Sequence, residues 1–303
     1  MQPILVRDVR LMADSLGEPS LDALVAHYYA LGDFTRKASS YIASYRSLLE
    51  GKRNESLRLL ELGVSSGASL LVWRDYLPRA TIVGIDLADP PPRILRQDRI
   101  HFVQGSQGDA AVLERAAEVA GGPFDVIIDD ASHIGYLTKR SLQYLFPRHL
   151  VPGGLYVIED FGTGFLPAYP DGTTFEEPDW NDAVEGSTIF RSSQHGMVGV
   201  VKQLVEPLVQ ELSTGTKPYL AISRLTIETN IAFIEKSMQP GRPAPMLPEK
   251  ADWDAGRDAG ALTEDLLRRH EARIGRLEQQ MNTLRTVLGP VRRLWQLGRR
   301  LRG

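Results

Sequence analysis

The chain has 303 residues, with 38 Asp or Glu, 35 Lys or Arg and no cysteine, for a net charge of −3. The lack of cysteine excludes disulfides, thiolate nucleophiles and Cys-ligated zinc. No apolar run reaches the roughly 18 residues that span a bilayer, and residues 1–8 lack the basic and apolar regions of a leader, so a cytoplasmic location is expected.

Residues 3–50 are expected to be mostly helical, with apolar residues at three-to-four spacing over 21–29 and 41–49. Strand-like and helical segments then alternate. Strands are expected over 57–62, 81–86, 100–104, 124–128 and 155–158, and helices over 69–76, 110–120 and 137–145. This alternation predicts an α/β fold, a doubly wound parallel sheet with helices on both faces. Pro152-Gly153-Gly154 is expected to turn the chain before the fifth strand. Residues 161–195 form a long polar loop carrying Phe165, Tyr169, Phe175 and Trp180, and loops of that length are commonly functional. A helix over 197–212 and a hairpin of strands 219–228 and 231–236, turning at Thr229-Asn230, complete the body.

The expected organisation is a helical cap (1–54), a catalytic domain (55–237), a linker (238–260), a coiled-coil helix (261–289) and a basic amphipathic tail (290–303). Leu267, His270, Ile274, Leu277, Met281, Leu284 and Leu288 form a short heptad seam, which predicts a homo-oligomer. Residues 262–303 carry ten Arg against four acids, about +6, leaving about −9 on the remainder. Arg292, Arg293, Arg299, Arg300 and Arg302 beside Trp295 and Leu301 suit peripheral contact with an anionic membrane surface, or simply a solvated helix end. Nucleic acid is not expected as a partner, because the tail has almost no aromatic residues for base stacking.

The chemistry concentrates at strand ends, where open α/β sheets bind their ligands. The first strand ends in Glu61-Leu62-Gly63-Val64-Ser65-Ser66-Gly67, a turn whose glycines let a ligand approach closely. The second ends in Asp86, placed to accept ribose hydroxyls. The spacing departs from the dinucleotide fingerprint G-x-G-x-x-G and suits a nucleoside without phosphates, with S-adenosylmethionine the leading candidate. Gly63-x-Ser65-x-Gly67 also spells a nucleophile elbow, with Asp130 and His133 in hydrolase order. Against that hydrolase reading, the turn follows the first strand and the acid and histidine are only three residues apart.

The fourth strand ends in Asp129-Asp130-Ala131-Ser132-His133 and the fifth in Glu159-Asp160. So many acids in one crevice stay ionised together when a cation offsets their repulsion. Asp130, Glu159 and Asp160 are hard oxygen donors suited to Mg²⁺. A bound cation acidifies an acceptor hydroxyl, and His133 is placed to take its proton near neutral pH.

These residues, with Leu60-Glu61-Leu62-Gly63, Gly105-Ser106-Gln107-Gly108-Asp109, Gly153-Gly154-Leu155-Tyr156-Val157-Ile158-Glu159-Asp160 and Phe233-Ile234-Glu235-Lys236, resemble the metal-dependent sugar O-methyltransferases of macrolide biosynthesis. The resemblance covers about 55–237. It implies a seven-stranded Rossmann-like sheet with an antiparallel last strand, and S-adenosylmethionine at Glu61, Gly63 and Asp86, with Gln107 and Asp109 near the adenine. It implies Mg²⁺ at Asp130, Glu159 and Asp160, His133 as general base, and Asp129 on the donor side or behind the metal ligands. The acceptor implied is the sugar of a glycosylated small molecule or glycan. An N-terminal element of that family is faintly echoed in Gly32-Asp33-Phe34-Thr35-Arg36-Lys37 and Ser40-Tyr41, which would face the acceptor. The alternative is a non-catalytic or differently reacting scaffold of the same fold in a glycan-assembly complex.

Overall fold

The structure is a computed structural model that describes residues 19–29, 37, 39–175 and 194–243. The expected coiled coil, the basic tail and most of the linker lie outside the described residues, as does Trp180.

Two helices, α1 (Leu21–Tyr29) and α2 (Ser39–Leu49), precede the sheet. The body then runs β1 (Arg58–Leu62), α3 (Ala68–Tyr76), β2 (Thr81–Asp86), β3 (Ile100–Gln104), α4 (Ala110–Ala120), β4 (Phe124–Asp129), α5 (Gly135–His149) and β5 (Leu150–Glu159). It closes with α6 (Gly196–Gln203), α7 (Val205–Thr214), β6 (Ile222–Glu228) and β7 (Ile231–Lys236). The sheet has seven strands in the order β3-β2-β1-β4-β5-β7-β6. The first five pair in parallel, and β7 enters antiparallel against both β5 and β6.

Apolar residues on both pleats of the inner strands explain the two-sided burial: Leu59 and Leu60 on β1, like Ile82 and Val83 on β2, have no exposed surface. On one face α1, α2 and α3 bring Tyr45, Trp73 and Tyr76 against the sheet. The Tyr45 ring meets Trp73 edge-on at 5.0 Å and Phe233 of β7 at 5.7 Å, so α2 is anchored to the sheet's antiparallel half. On the other face Leu113, Leu142, Phe146 and Met197 of α4, α5 and α6 form the second core.

Among the described residues the expected strands and helices are present, with two differences; residues 3–18 of the expected helical cap and 176–193 of the expected loop lie outside them. β5 begins at Leu150, so Pro152-Gly153-Gly154 lies inside the strand, not before it. Gly153 at φ 74° and a register shift opposite Phe124 and Val126 make this stretch an irregularity that the pairing absorbs. The helix expected over 197–212 is two helices meeting at Leu204. Pro207 explains the break: it has no N–H to donate to Gln203, and its ring crowds that carbonyl. Among the described residues no helix is long and apolar enough to cross a membrane.

Candidate active site

Parallel register aligns the strand ends: Leu62 lies beside Asp129, and Asp129 beside Ile158. The chain leaving β4 stays welded to β1, since Asp130 N–H donates to the Leu62 carbonyl at 2.9 Å. Gly63, at φ 89°, lies directly against this exit. A Cβ there would fall 2.1 Å from the Asp130 carbonyl oxygen, so only glycine fits.

Asp130, His133 and Asp160 converge, with one ligand atom from each lying within 4.8 Å of the others. His133 Nε2 is 4.0 Å from Asp130 Oδ1, and its buried Nδ1 has no hydrogen-bond partner among the described residues. The His133 ring meets Tyr169 edge-on at 5.8 Å. His133 and Asp160 both adopt left-handed backbone, φ 53° and 55°. In a regular strand successive side chains leave on opposite faces. The left-handed step at Asp160 breaks that alternation just after Glu159. Asp160 Oδ1 accepts from Tyr41 O–H at 2.7 Å and from Asn230 Nδ2 at 2.9 Å, which fixes its direction.

Glu159 does not join this cluster. It is 1% exposed, and its Oε1 accepts from Lys37 Nζ at 2.7 Å and from the Tyr45 hydroxyl. The same ammonium lies 3.0 Å from Asp130 Oδ2 and 3.4 Å from Glu61 Oε1. Burial pushes the Glu159 and Glu61 carboxyls up, and Lys37 opposes this in both. Burial alone would lower Lys37, but Asp130, Glu159 and Glu61 together hold it well above the usual lysine range. Part of the offset that these acids need therefore comes from the Lys37 ammonium.

On the nucleoside side, Asp86 Oδ2 accepts from Val64 N–H at 2.8 Å and Ser65 N–H at 3.0 Å, and so shapes the Gly63–Gly67 turn. Ser65 sits in that turn at φ 47°, and Gly67 at φ 81° opens α3. Asp109 caps α4, its side chain accepting from Ala111 N–H at 2.9 Å. Gln107 and Asp129 lie deeper than a wall residue would. Both are buried, Gln107 donates to Asp129 Oδ1 at 3.0 Å, and its own oxygen accepts from Ser132 N–H at 2.9 Å. Ser141 donates to Asp129 Oδ2 at 3.1 Å, and burial pushes this carboxyl up to about 6. The pair thus braces the loop that carries His133. Tyr45, Asn230 and Ser141 gave no signal of a role in the sequence, whereas Lys37 and Tyr41 fall in the faint N-terminal echo.

No family model matches the chain. The chain is 35% identical over 197 residues to an 8-demethyl-8-(2-methoxy-α-L-rhamnosyl)-tetracenomycin-C 3′-O-methyltransferase of Streptomyces olivaceus, covering 61% of this chain and 46% of that protein. Mycinamicin VI 2″-O-methyltransferase of Micromonospora griseorubida is 32% identical, covering 72% and 53%. Demethylmacrocin O-methyltransferase of Streptomyces fradiae is 34% identical, covering 73% and 54%. The chain spans about half the length of these relatives. Among solved structures, the MycE methyltransferase of the mycinamycin biosynthetic pathway, in complex with Mg, SAH and mycinamycin VI, superposes with a TM-score of 0.55 at 31% identity, covering 76% of this chain and 57% of that one. By sequence and by fold, this chain is a homologue of the macrolide and tetracenomycin sugar O-methyltransferases, built on the seven-stranded Rossmann-like methyltransferase sheet.

Proposed function

We propose that the chain is a Mg²⁺-dependent O-methyltransferase that moves the methyl group of S-adenosylmethionine to a sugar hydroxyl of a glycosylated small molecule or glycan. The observation that carries this reading is the convergence of Asp130, His133 and Asp160 beside the Gly63 turn. The two carboxylates from adjoining strand ends suit a hard divalent ion, and the His133 imidazole lies beside them. Asp130 and Asp160 would hold the ion, with Glu159 available only if it exchanges its bond to Lys37. The Gly63–Gly67 turn, with Glu61 behind it and Asp86 bracing it, would hold the methyl donor. When bound, the ion makes an acceptor hydroxyl more acidic and S-adenosylmethionine supplies an electrophilic methyl carbon.

The chain's own residues supply alignment and proton transfer. His133, held at the end of the loop into α5 and steadied by the edge of Tyr169, accepts the hydroxyl proton. Tyr41 and Asn230 keep Asp160 pointed into the crevice. Rate then comes chiefly from placing acceptor oxygen, base and methyl donor together.

His133→Ala is expected to lower turnover by about 10²–10⁴-fold, the usual worth of a positioned base. Calorimetry should show S-adenosylmethionine binding retained. Turnover within a factor of a few of the parent would reject His133 as the base, and loss of donor binding would place it on the donor side instead. A peripheral membrane contact and a homo-oligomer remain part of the proposal for residues 261–303. Co-sedimentation with anionic vesicles and light scattering on the full chain test them.

A further inference from the structure

Tyr41 and Tyr45 of α2 lie four residues apart, the spacing that stacks side chains along one helix face, and Lys37 lies two residues before that helix. All three reach the carboxylates that end β4 and β5. Tyr41 donates to Asp160, Tyr45 to Glu159, and Lys37 to both Glu159 and Asp130. The Lys37 side chain is only 5% exposed, and its ammonium has three carboxylates, from the ends of β1, β4 and β5, within 3.4 Å. A lysine this deep is tolerated because it is paired several times over.

The charge layout divides the crevice. Lys37 balances the inner acids, Glu61 and Glu159. Asp160 faces the outer part, and among the described residues its carboxylate receives only the neutral donors Tyr41 and Asn230. Asp130 belongs to both halves, with Oδ2 on the lysine and Oδ1 towards His133. A divalent ion that draws on Asp130 therefore meets an ammonium already leaning on the same carboxylate, in a place where water screens little. Two cations on one partly buried carboxylate repel, and one must yield.

We propose that Lys37 is an exchangeable internal counter-ion that competes with the divalent cation for Asp130 and Glu159. It occupies them when the ion is absent and is displaced when the ion binds, so that it sets the site's cation affinity. Tyr45 suits this exchange. Its hydroxyl remains on Glu159 after the ammonium leaves and keeps the carboxylate aimed. The proposal rests on the metal-centre reading above.

The test uses Mn²⁺ as the probe, with binding read from the free-ion paramagnetic resonance signal and by calorimetry on the full chain. Lys37→Met, checked for folding by circular dichroism, is expected to bind Mn²⁺ at least about tenfold more tightly than the parent, because one competing positive charge is gone. Lys37→Arg keeps the charge and should stay near the parent value. Affinity in Lys37→Met that is unchanged or weaker overturns the exchange. Should Lys37→Met fail to fold, the parent protein decides. Reductive methylation of Lys37, followed by peptide mass spectrometry, should rise several-fold at saturating Mn²⁺; unchanged labelling while Mn²⁺ binds overturns the proposal. Binding by Lys37→Met where the parent shows none supports it strongly. No binding by either folded protein overturns the metal centre itself, a result distinct from failure of the exchange alone.

Discussion

The carboxyl group of Asp129 is 1% exposed and shares its oxygens between Gln107 and Ser141. Burial raises it from 3.8 to about 6, although both hydrogen bonds pull the other way. A carboxyl raised in the folded state favours folding while it is protonated. That advantage, full below the unfolded value near 3.8, is lost as pH climbs through about 6. Above that, the ionised group costs roughly 3 kcal/mol at most, from about 1.4 kcal/mol for each pH unit between the two values. Asp129→Asn keeps the shape and an oxygen for Gln107 while removing the charge. Denaturant titrations should show the variant gaining on the parent between pH 4 and 6 by about 1–3 kcal/mol and holding that margin at pH 7.5. A pH-independent difference would mean that Asp129 carries no such burden. The strand-end rule made Asp130, His133 and Asp160 legible as neighbours, because it needs only the order of apolar runs and acids. It could not separate Asp129 from Asp130. Which of two consecutive carboxylates turns inward depends on Gln107 and Ser141, which lie 22 and 12 residues away along the chain.

Helix and strand boundaries followed local signals where those were strong. β2, β3, α4 and β7 fall where the apolar pattern places them, and α4 shows why: Asp109 caps its start and Gly121, in left-handed conformation, ends it. Asp109 was assigned beside the adenine, yet its carboxylate already serves a helix end. Asp109→Ala is therefore expected to lower stability by about 1 kcal/mol. If capping is its main work, S-adenosylmethionine affinity should change less than about threefold in calorimetry, whereas a larger loss would return Asp109 to the donor site. The packing of α2 was not legible. Its apolar spacing announced a helix but not the surface it would cover. Only the pairing of β7 with β5 creates the Phe233 and Asn230 surroundings that Tyr45 and Tyr41 meet. Lys37 falls in the stretch that the resemblance sets towards the acceptor. Its ring of carboxylates from three strand ends was not legible, because those ends meet only in the folded sheet.

For the molecule as a whole, an ion held only by the folded chain adds to stability by mass action, about 2.7 kcal/mol at a hundredfold excess over Kd. For a body of this size that is a rise in Tm on the order of 5–10 °C. Thermal unfolding with saturating Mg²⁺ against EDTA should show such a rise, and Asp160→Ala should shrink it; equal Tm values in the two buffers would argue that no ion is bound. The sheet order was legible as a class, since alternating strands and helices admit few topologies. The antiparallel last strand came only through the resemblance, and the insertion of β7 between β5 and β6 was not legible, because nothing in a hairpin's own sequence says which edge it joins.

At Gly63 the exits of β1 and β4 press together so closely that even a methyl group has no room between them, with 2.1 Å from the missing Cβ to a backbone oxygen. Any side chain at this position would have to push the chain leaving β4, and the Asp130 carboxylate with it, away from β1.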